Sequence, residues 1–164
     1  MDVRMDGRVA LITGASRGLG LAMAKKFASS GADVAICARR GDVLEAARAE
    51  IVAESGGKIH AFRCDVSDGA QIETLFPAAI AALGKVDILV NNAGSSATGN
   101  FEEITDEMWR QDFDLKLFAT IRLTRLALPG MKSRGWGRII NILNIGARAP
   151  GARGAPTHVS RAAG

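Results

Sequence analysis

The chain has 164 residues, 48% hydrophobic and 23% charged, which is enough for one globular domain of ordinary size with a real core. Its net charge of +4 is dispersed, with Lys25-Lys26 and Arg39-Arg40 as the adjacent basic pairs, so no nucleic-acid stripe is expected and an anionic small molecule suits the balance better. The sequence has neither a run of 18 apolar residues nor an apolar run ahead of Arg8, so the reading is of a cytoplasmic protein with no membrane span and no signal peptide.

Strand and helix signals alternate along the chain. A short apolar run, Arg8–Thr13, ends at a Gly-rich turn and reads as a buried strand. A helix follows with Leu19, Met23 and Phe27 four apart and Gly31 as its stop. Ala32–Ala38 is the second strand, and Leu44, Ala47, Ile51 and Val52 mark the next helical face. Lys58–Cys64 is the third strand. Ser67 is the expected cap of a helix with Ile72, Leu75, Phe76, Ala79, Ile80 and Leu83 on its face, and Pro77 inside it predicts a kink or a broken turn. Val86–Asn91 is the fourth strand. A longer helix is capped near Thr105 and runs toward Pro129, and Arg138–Leu143 is the fifth strand. Cys37 and Cys64 lie inside apolar stretches and read as reduced core thiols. This alternation predicts an α/β fold, a doubly wound parallel sheet of Rossmann-like type in a single domain, 1–164.

The first turn reads TGASRGLG, Thr13 to Gly20. Gly14, Gly18 and Gly20 follow G-x-x-x-G-x-G spacing, with a strand before them and a helix after. Glycines let the backbone turn sharply and approach a pyrophosphate, and the helix start aims free N–H groups at it. The Gly-Lys-Ser/Thr of a nucleoside-triphosphate loop is missing. About 20 residues on, where an acid would bind the ribose 2′-hydroxyl of NAD, stand Ala38, Arg39 and Arg40. A guanidinium in place of a carboxylate favours a 2′-phosphate, hence NADP(H) over NAD(H), with Arg17 able to assist.

That loop together with NNAG (Asn91–Gly94), CDVSD (Cys64–Asp68), GKVDILVNNAG (Gly84–Gly94) and GWGRIINI (Gly135–Ile142) resembles the short-chain dehydrogenase/reductase family, most closely its 3-oxoacyl-carrier-protein reductases. The resemblance covers nearly all of Gly7 to Gly164. It implies that Gly14, Ser16, Arg17, Gly18, Leu19 and Gly20 line the pyrophosphate and ribose, and that Arg39 takes the 2′-phosphate. It further implies that Asp65 and Val66 meet the adenine, and that Asn92, Ala93 and Gly94 pass under the adenine-side ribose and help hold the sheet. Asn91 and Asn92 also read as buried amides tying one strand to its neighbour. The resemblance implies a homo-oligomer, a dimer or tetramer through the long helix, and no metal. It accounts for five of the family's usual seven strands, so the C-terminal part of the family fold, with the loop that covers substrate, is expected to be missing. The fifth strand would then be an exposed apolar edge, and the helix face of Leu115, Phe118 and Leu126 would seek a partner.

The family's reaction takes a proton from a tyrosine, tuned by a lysine one helical turn later, with a serine orienting the carbonyl and an asparagine anchoring a water relay. Those four places hold Thr157, Arg161, Asn144 and Lys116, and the chain contains no tyrosine. An aliphatic hydroxyl is a far weaker acid than a phenol of pKa about 10, and an arginine of pKa above about 12 relays no proton, though it can bind ribose or an anionic group. Asn144 can still donate to a carbonyl oxygen. His158 titrates near 6.5 unperturbed, but stands one residue off the acid's place and reads as an ordinary helix-entry histidine. Lys116 reads as a helix residue whose ammonium reaches solvent, the alternative being an amine tuned down by burial. The reading is an NADP(H)-binding oxidoreductase with a divergent active site and a carbonyl or alcohol substrate. The alternative is a catalytically silent dinucleotide-binding protein, a sensor or inactive subunit. A methyltransferase on a similar sheet is weaker, because its cofactor ribose wants an acid where Arg39 and Arg40 sit.

Overall fold

The computed structural model describes residues 3–164. Five short strands form one sheet: β1 (Val9–Thr13), β2 (Asp33–Ala38), β3 (Ile59–Arg63), β4 (Ile88–Asn91) and β5 (Arg138–Asn141). Their order is β3-β2-β1-β4-β5 and every pairing is parallel. The chain builds outward from β1 through β2 to β3, then crosses to β4 on the other side of β1. This reversal leaves a crevice beyond the carboxyl ends of β1 and β4, the place where doubly wound sheets take ligands. The expected strands run slightly past the paired segments, because the apolar runs continue after the ladder stops; Ile142 and Leu143 are the clearest case.

Residues along β1 alternate between two cores. Val9 and Leu11 face the helices α3 (Gly69–Leu83) and α5 (Ala119–Ser133), against Ile72, Leu75, Leu123 and Ala127. Ala10 and Ile12 face α1 (Gly18–Ser29) and α2 (Gly41–Ser55), against Ala24, Ala28, Leu44 and Ile51. Strands covered on both faces read as continuous apolar runs rather than alternating ones, which is why the sequence pattern here is so plain. The remaining helices are α4 (Asp106–Phe113), joined to α5 by a π-helical turn (Asp114–Phe118), and α6 (Thr157–Ala163).

Several sequence expectations need correction. The buried stripe of α1 is Gly20, Ala24 and Ala28, while Leu19 is 58% exposed and Met23 and Phe27 are half-buried. Close approach of this helix to the sheet demands small side chains, so the large apolar residues are displaced to the flanks. The cap of α3 is Asp68, whose carboxylate accepts from the Ala70 N–H at 2.9 Å; Ser67 instead bonds Asp65. Helix α3 runs through Pro77 without a break, and α5 continues through Pro129 to Ser133. Both prolines are exposed, so the carbonyls they leave unbonded face water. Thr105 caps α4 as expected, accepting from the Met108 N–H at 3.3 Å. Leu115 and Leu126 pack against the first core, whereas Phe118 at the end of the π-helical turn and Ile121 and Leu128 on α5 remain exposed. Strand β5 is one of the two sheet edges among the described residues, with Ile140 on it and Leu143 just beyond it exposed. Cys37 and Cys64 are free and buried, and burial pushes both thiols up, Cys64 to about 11. Among the described residues no helix is long and apolar enough to cross a membrane.

Candidate functional site

The crevice is a cleft of about 350 Å³ over the first turn. Two glycines make that turn possible. Gly14 has φ +63°, and a Cβ there would stand 2.8 Å from the Ala93 Cα. Gly20 lies so close to its surroundings that a Cβ would stand 2.5 Å from both the Asn92 Nδ2 and the Gly14 carbonyl. Gly18, at φ +58°, opens α1. Helix α1 has no side-chain cap and no acidic residue in its first turn. Its leading N–H groups and positive dipole end are therefore available to an anion.

The far wall is tied to this turn by hydrogen bonds. Asn92 donates through Nδ2 to the Thr13 carbonyl at 2.9 Å and to the Gly14 carbonyl at 3.2 Å. The Thr13 hydroxyl accepts from the Asn92 and Ala93 N–H groups at 3.0 and 2.9 Å. Asn91 donates to Asn141 at 2.9 Å, binding β4 to β5. The two asparagines thus brace the sheet, and Asn92 shapes the cleft floor as it does so. Gly14, Ser16, Arg17, Leu19, Gly20, Arg39, Asp65, Val66, Asn92, Ala93 and Gly94 all line the cleft. Gly18 does not; its part is to start α1. The lining also includes Val43 and Ser95, which sequence reasoning did not single out, and Cys37, Cys64 and Leu115, which it did not assign to a ligand site.

Charge is unevenly placed around the cleft. Arg39 follows β2 and makes no ion pair among the described residues, whereas Arg40 pairs with Asp42 at 3.0 Å. Asp65 spends Oδ1 on the Ser67 N–H and hydroxyl at 3.0 and 2.7 Å, and Oδ2 makes no hydrogen bond among the described residues.

The four divergent positions lie outside the cleft lining, and the structure brings three of them together behind Gly94. Lys116 does not reach solvent. It sits in the π-helical turn, 8% exposed, and forms an ion pair with Asp112 one turn back. Its Nζ also donates to the Thr157 hydroxyl at 2.6 Å. Ser160 donates to the second oxygen of Asp112 at 2.5 Å. Burial pushes the Lys116 amine down, the Asp112 hydrogen bond and charge oppose this, and the Arg161 charge adds to the lowering. Helix spacing explains the pairing, since Asp112 and Lys116 stand at i and i+4 and meet on one face. That spacing was legible in the sequence. The convergence of Thr157 and Ser160 from α6 was not.

Thr157 is 1% exposed and its hydroxyl is fully engaged. It accepts from Lys116 and from the Ala97 N–H at 2.9 Å, and is 3.4 Å from Asp112. The Thr157 N–H returns a bond to the Ala97 carbonyl at 3.2 Å. A hydroxyl so occupied presents no proton to the cleft. Arg161 donates through Nη1 to the Ile142 carbonyl at 2.9 Å and lies beside Gly94. Asn144 is exposed and stands apart from this cluster. His158 faces away, packed against Gly146 and Gly154 and accepting from the Gly151 N–H at 3.2 Å, where it staples the 145–154 loop.

Comparison with known proteins agrees with this architecture. The chain is 40% identical over 161 residues to a fatty acyl-CoA reductase of Acinetobacter baylyi, covering 97% of this chain and 54% of the relative. It superposes on L-sorbose reductase of Gluconobacter frateurii, solved with NADPH and L-sorbose, with a TM-score of 0.95, 36% identity, and coverage of 99% and 62%. A 7α-hydroxysteroid dehydrogenase solved with NADH gives a TM-score of 0.93, 34% identity, and coverage of 99% and 63%. The chain spans less than two thirds of the length of each of these proteins. Residues 8–163 match the short chain dehydrogenase family, and with the parallel sheet and glycine turn in place, the chain belongs to that family.

Proposed function

We propose that the protein binds NADP(H) and is an oxidoreductase of a carbonyl or alcohol small molecule, working with a divergent active site. The observation that carries the cofactor is the cleft floor, where Gly14 and Gly20 leave no room for a Cβ beneath an uncapped helix start. A backbone pressed this close suits a pyrophosphate. Arg39, exposed and without an acidic partner among the described residues, supports a 2′-phosphate and hence NADP(H). Its neighbours in fold space were solved with either dinucleotide, so the preference rests on Arg39. When bound, a nicotinamide dinucleotide supplies hydride chemistry. The chain's own residues would hold its phosphates on the glycine turn, its adenine against Asp65 and Val66, and its inner ribose near Gly94 and Arg161. The exposed Phe118, at the end of the π-helical turn, and Ile121 and Leu128 on α5 support self-association of the protein.

The buried Thr157 hydroxyl favours a second reading, a dinucleotide-binding protein without turnover. Titration with NADPH and NADH, read by nicotinamide fluorescence, tests the first reading. NADPH should bind more tightly, and Arg39→Ala should remove that preference while leaving NADH binding unchanged. Equal affinities in the parent protein would refute the NADP(H) assignment. Absorbance of NADPH at stoichiometric protein, followed with a panel of ketones, separates the readings: loss of absorbance supports an enzyme, and binding without loss supports the silent protein.

A further inference from the structure

His158 turns away from the cleft and toward the chain that precedes α6. Its imidazole is seated on two buried glycines, Gly146 and Gly154, and a Cβ on either would collide with the ring. Nδ1 accepts the Gly151 N–H at 3.2 Å, and the His158 N–H donates to the Gly154 carbonyl at 2.8 Å. Among the described residues, the Gly151 bond is the one hydrogen bond that leaves residues 150–152 for another element. Residues 148–153 are otherwise exposed.

The ends of this loop are anchored separately. The Ala147 N–H bonds the Asn144 carbonyl at 3.0 Å, and the Gly99 N–H bonds the Arg153 carbonyl at 3.2 Å. Helix α6 is itself held through Thr157 and Ser160, on Lys116 and Asp112. Loss of the Gly151 bond therefore frees the middle of the loop and leaves the helix seated. A histidine nitrogen accepts only while it carries no proton, so the neutral ring has its proton on Nε2. A second proton turns Nδ1 into a donor facing the Gly151 N–H, and two donors repel. The other charged groups on the loop and on α6 are Arg148, Arg153 and Arg161, all cations. Residues 95–100, which pair with the end of the loop, carry no charge. Asp112 and Lys116, on the helical segment behind α6, are engaged with each other. No free side-chain carboxylate stands ready to hold the doubly protonated ring.

We infer that His158 is a pH-sensitive catch, holding the 148–153 loop against α6 with one ring proton and letting it go with two. The loop follows β5 at the carboxyl end of the sheet, the end at which the cleft opens, so its release changes access to that end. The test is NMR of the 15N-labelled protein between pH 8 and pH 5, the range in which histidines change charge. Ring nitrogen shifts report which nitrogen holds the proton, with His60 on β3 as the reference histidine. Solvent exchange of the Gly151 amide, corrected for its intrinsic pH dependence, reports the loop. Gly151→Ala, where a Cβ meets nothing within 4 Å, identifies the Gly151 signal by its loss. The neutral ring should carry its proton on Nε2, and Gly151 protection should fall about fivefold, the worth of one hydrogen bond, with the midpoint of the His158 ring. The amide of Gly20, in the glycine turn, should keep its protection. His158→Asn keeps an acceptor at the δ position at every pH, so its Gly151 exchange should show no step. A step in His158→Asn with the parent's midpoint would mean that the proton acts elsewhere, and the inference falls. Gly151 exchange that stays level while the ring titrates, a neutral ring protonated on Nδ1, or a ring that takes no second proton above pH 5 also overturns it.

Discussion

The sharpest prediction concerns Lys116→Met. Methionine fills much of the lysine's volume but leaves the Asp112 carboxylate, its side chain 1% exposed, without its counter-charge. Breaking a buried pair from one side costs about 3–5 kcal/mol, and the Thr157 hydroxyl loses a donor as well. For a chain of this size each kcal/mol lowers Tm by about 2–4 °C, so a loss on the order of 10 °C is expected in a thermal melt, with a matching fall in urea midpoint. Asp112→Asn should cost less. The lysine it strands can shed its proton, and burial together with the Arg161 charge already pushes that amine below its ordinary 10.5. Because the unfolded chain then holds the proton more tightly than the folded one, stability of Asp112→Asn should rise as pH climbs from 7 toward 10.5. A Lys116→Met melt within about 1 kcal/mol of the parent would refute the claim that this pair is buried and structural.

Thr157→Val removes the acceptor for the Ala97 N–H and for Lys116, and should cost about 2–3 kcal/mol in urea denaturation, while Thr157→Ser should recover most of it. Gly20→Ala forces the Asn92 amide and the Gly14 carbonyl away from the turn, so NADPH affinity should drop by an order of magnitude or more in fluorescence titration. Burial raises the Cys64 thiol from 9.0 to about 11 in the folded chain, so the unfolded chain gives up this proton first as pH climbs. Stability should therefore fall as pH rises from about 9 toward 11, and Cys64→Ala should reduce that fall in melts across the range, the buried Cys37 thiol supplying the remainder.

How much was legible depended on whether a signal was local. The five strands announced themselves because sheets covered on both faces need unbroken apolar runs, and the glycine turn did so because its backbone excludes a Cβ at Gly14 and Gly20. Helix faces were read less well. Leu19, Met23 and Phe27 have the right spacing, yet the tight fit of α1 against the sheet selects Gly20, Ala24 and Ala28 instead. Lys116 was misread for a related reason. A lysine on a helix reaches solvent by default, and only the arrival of α6 from 41 residues away closes over it.

The sequence by itself determined the order of elements, the glycine-rich turn, the absence of tyrosine and the basic residue after β2, since each is a property of a short stretch or of composition. Tertiary structure alone decided what surrounds Thr157, the residue at the family's tyrosine place. Asp112 and Lys116 from one helical segment meet Thr157 and Ser160 from another, and the low-dielectric interior where they meet makes their charges and hydrogen bonds depend on one another. Residues so far apart in the chain acquire a common chemistry only once the sheet has brought their helices together.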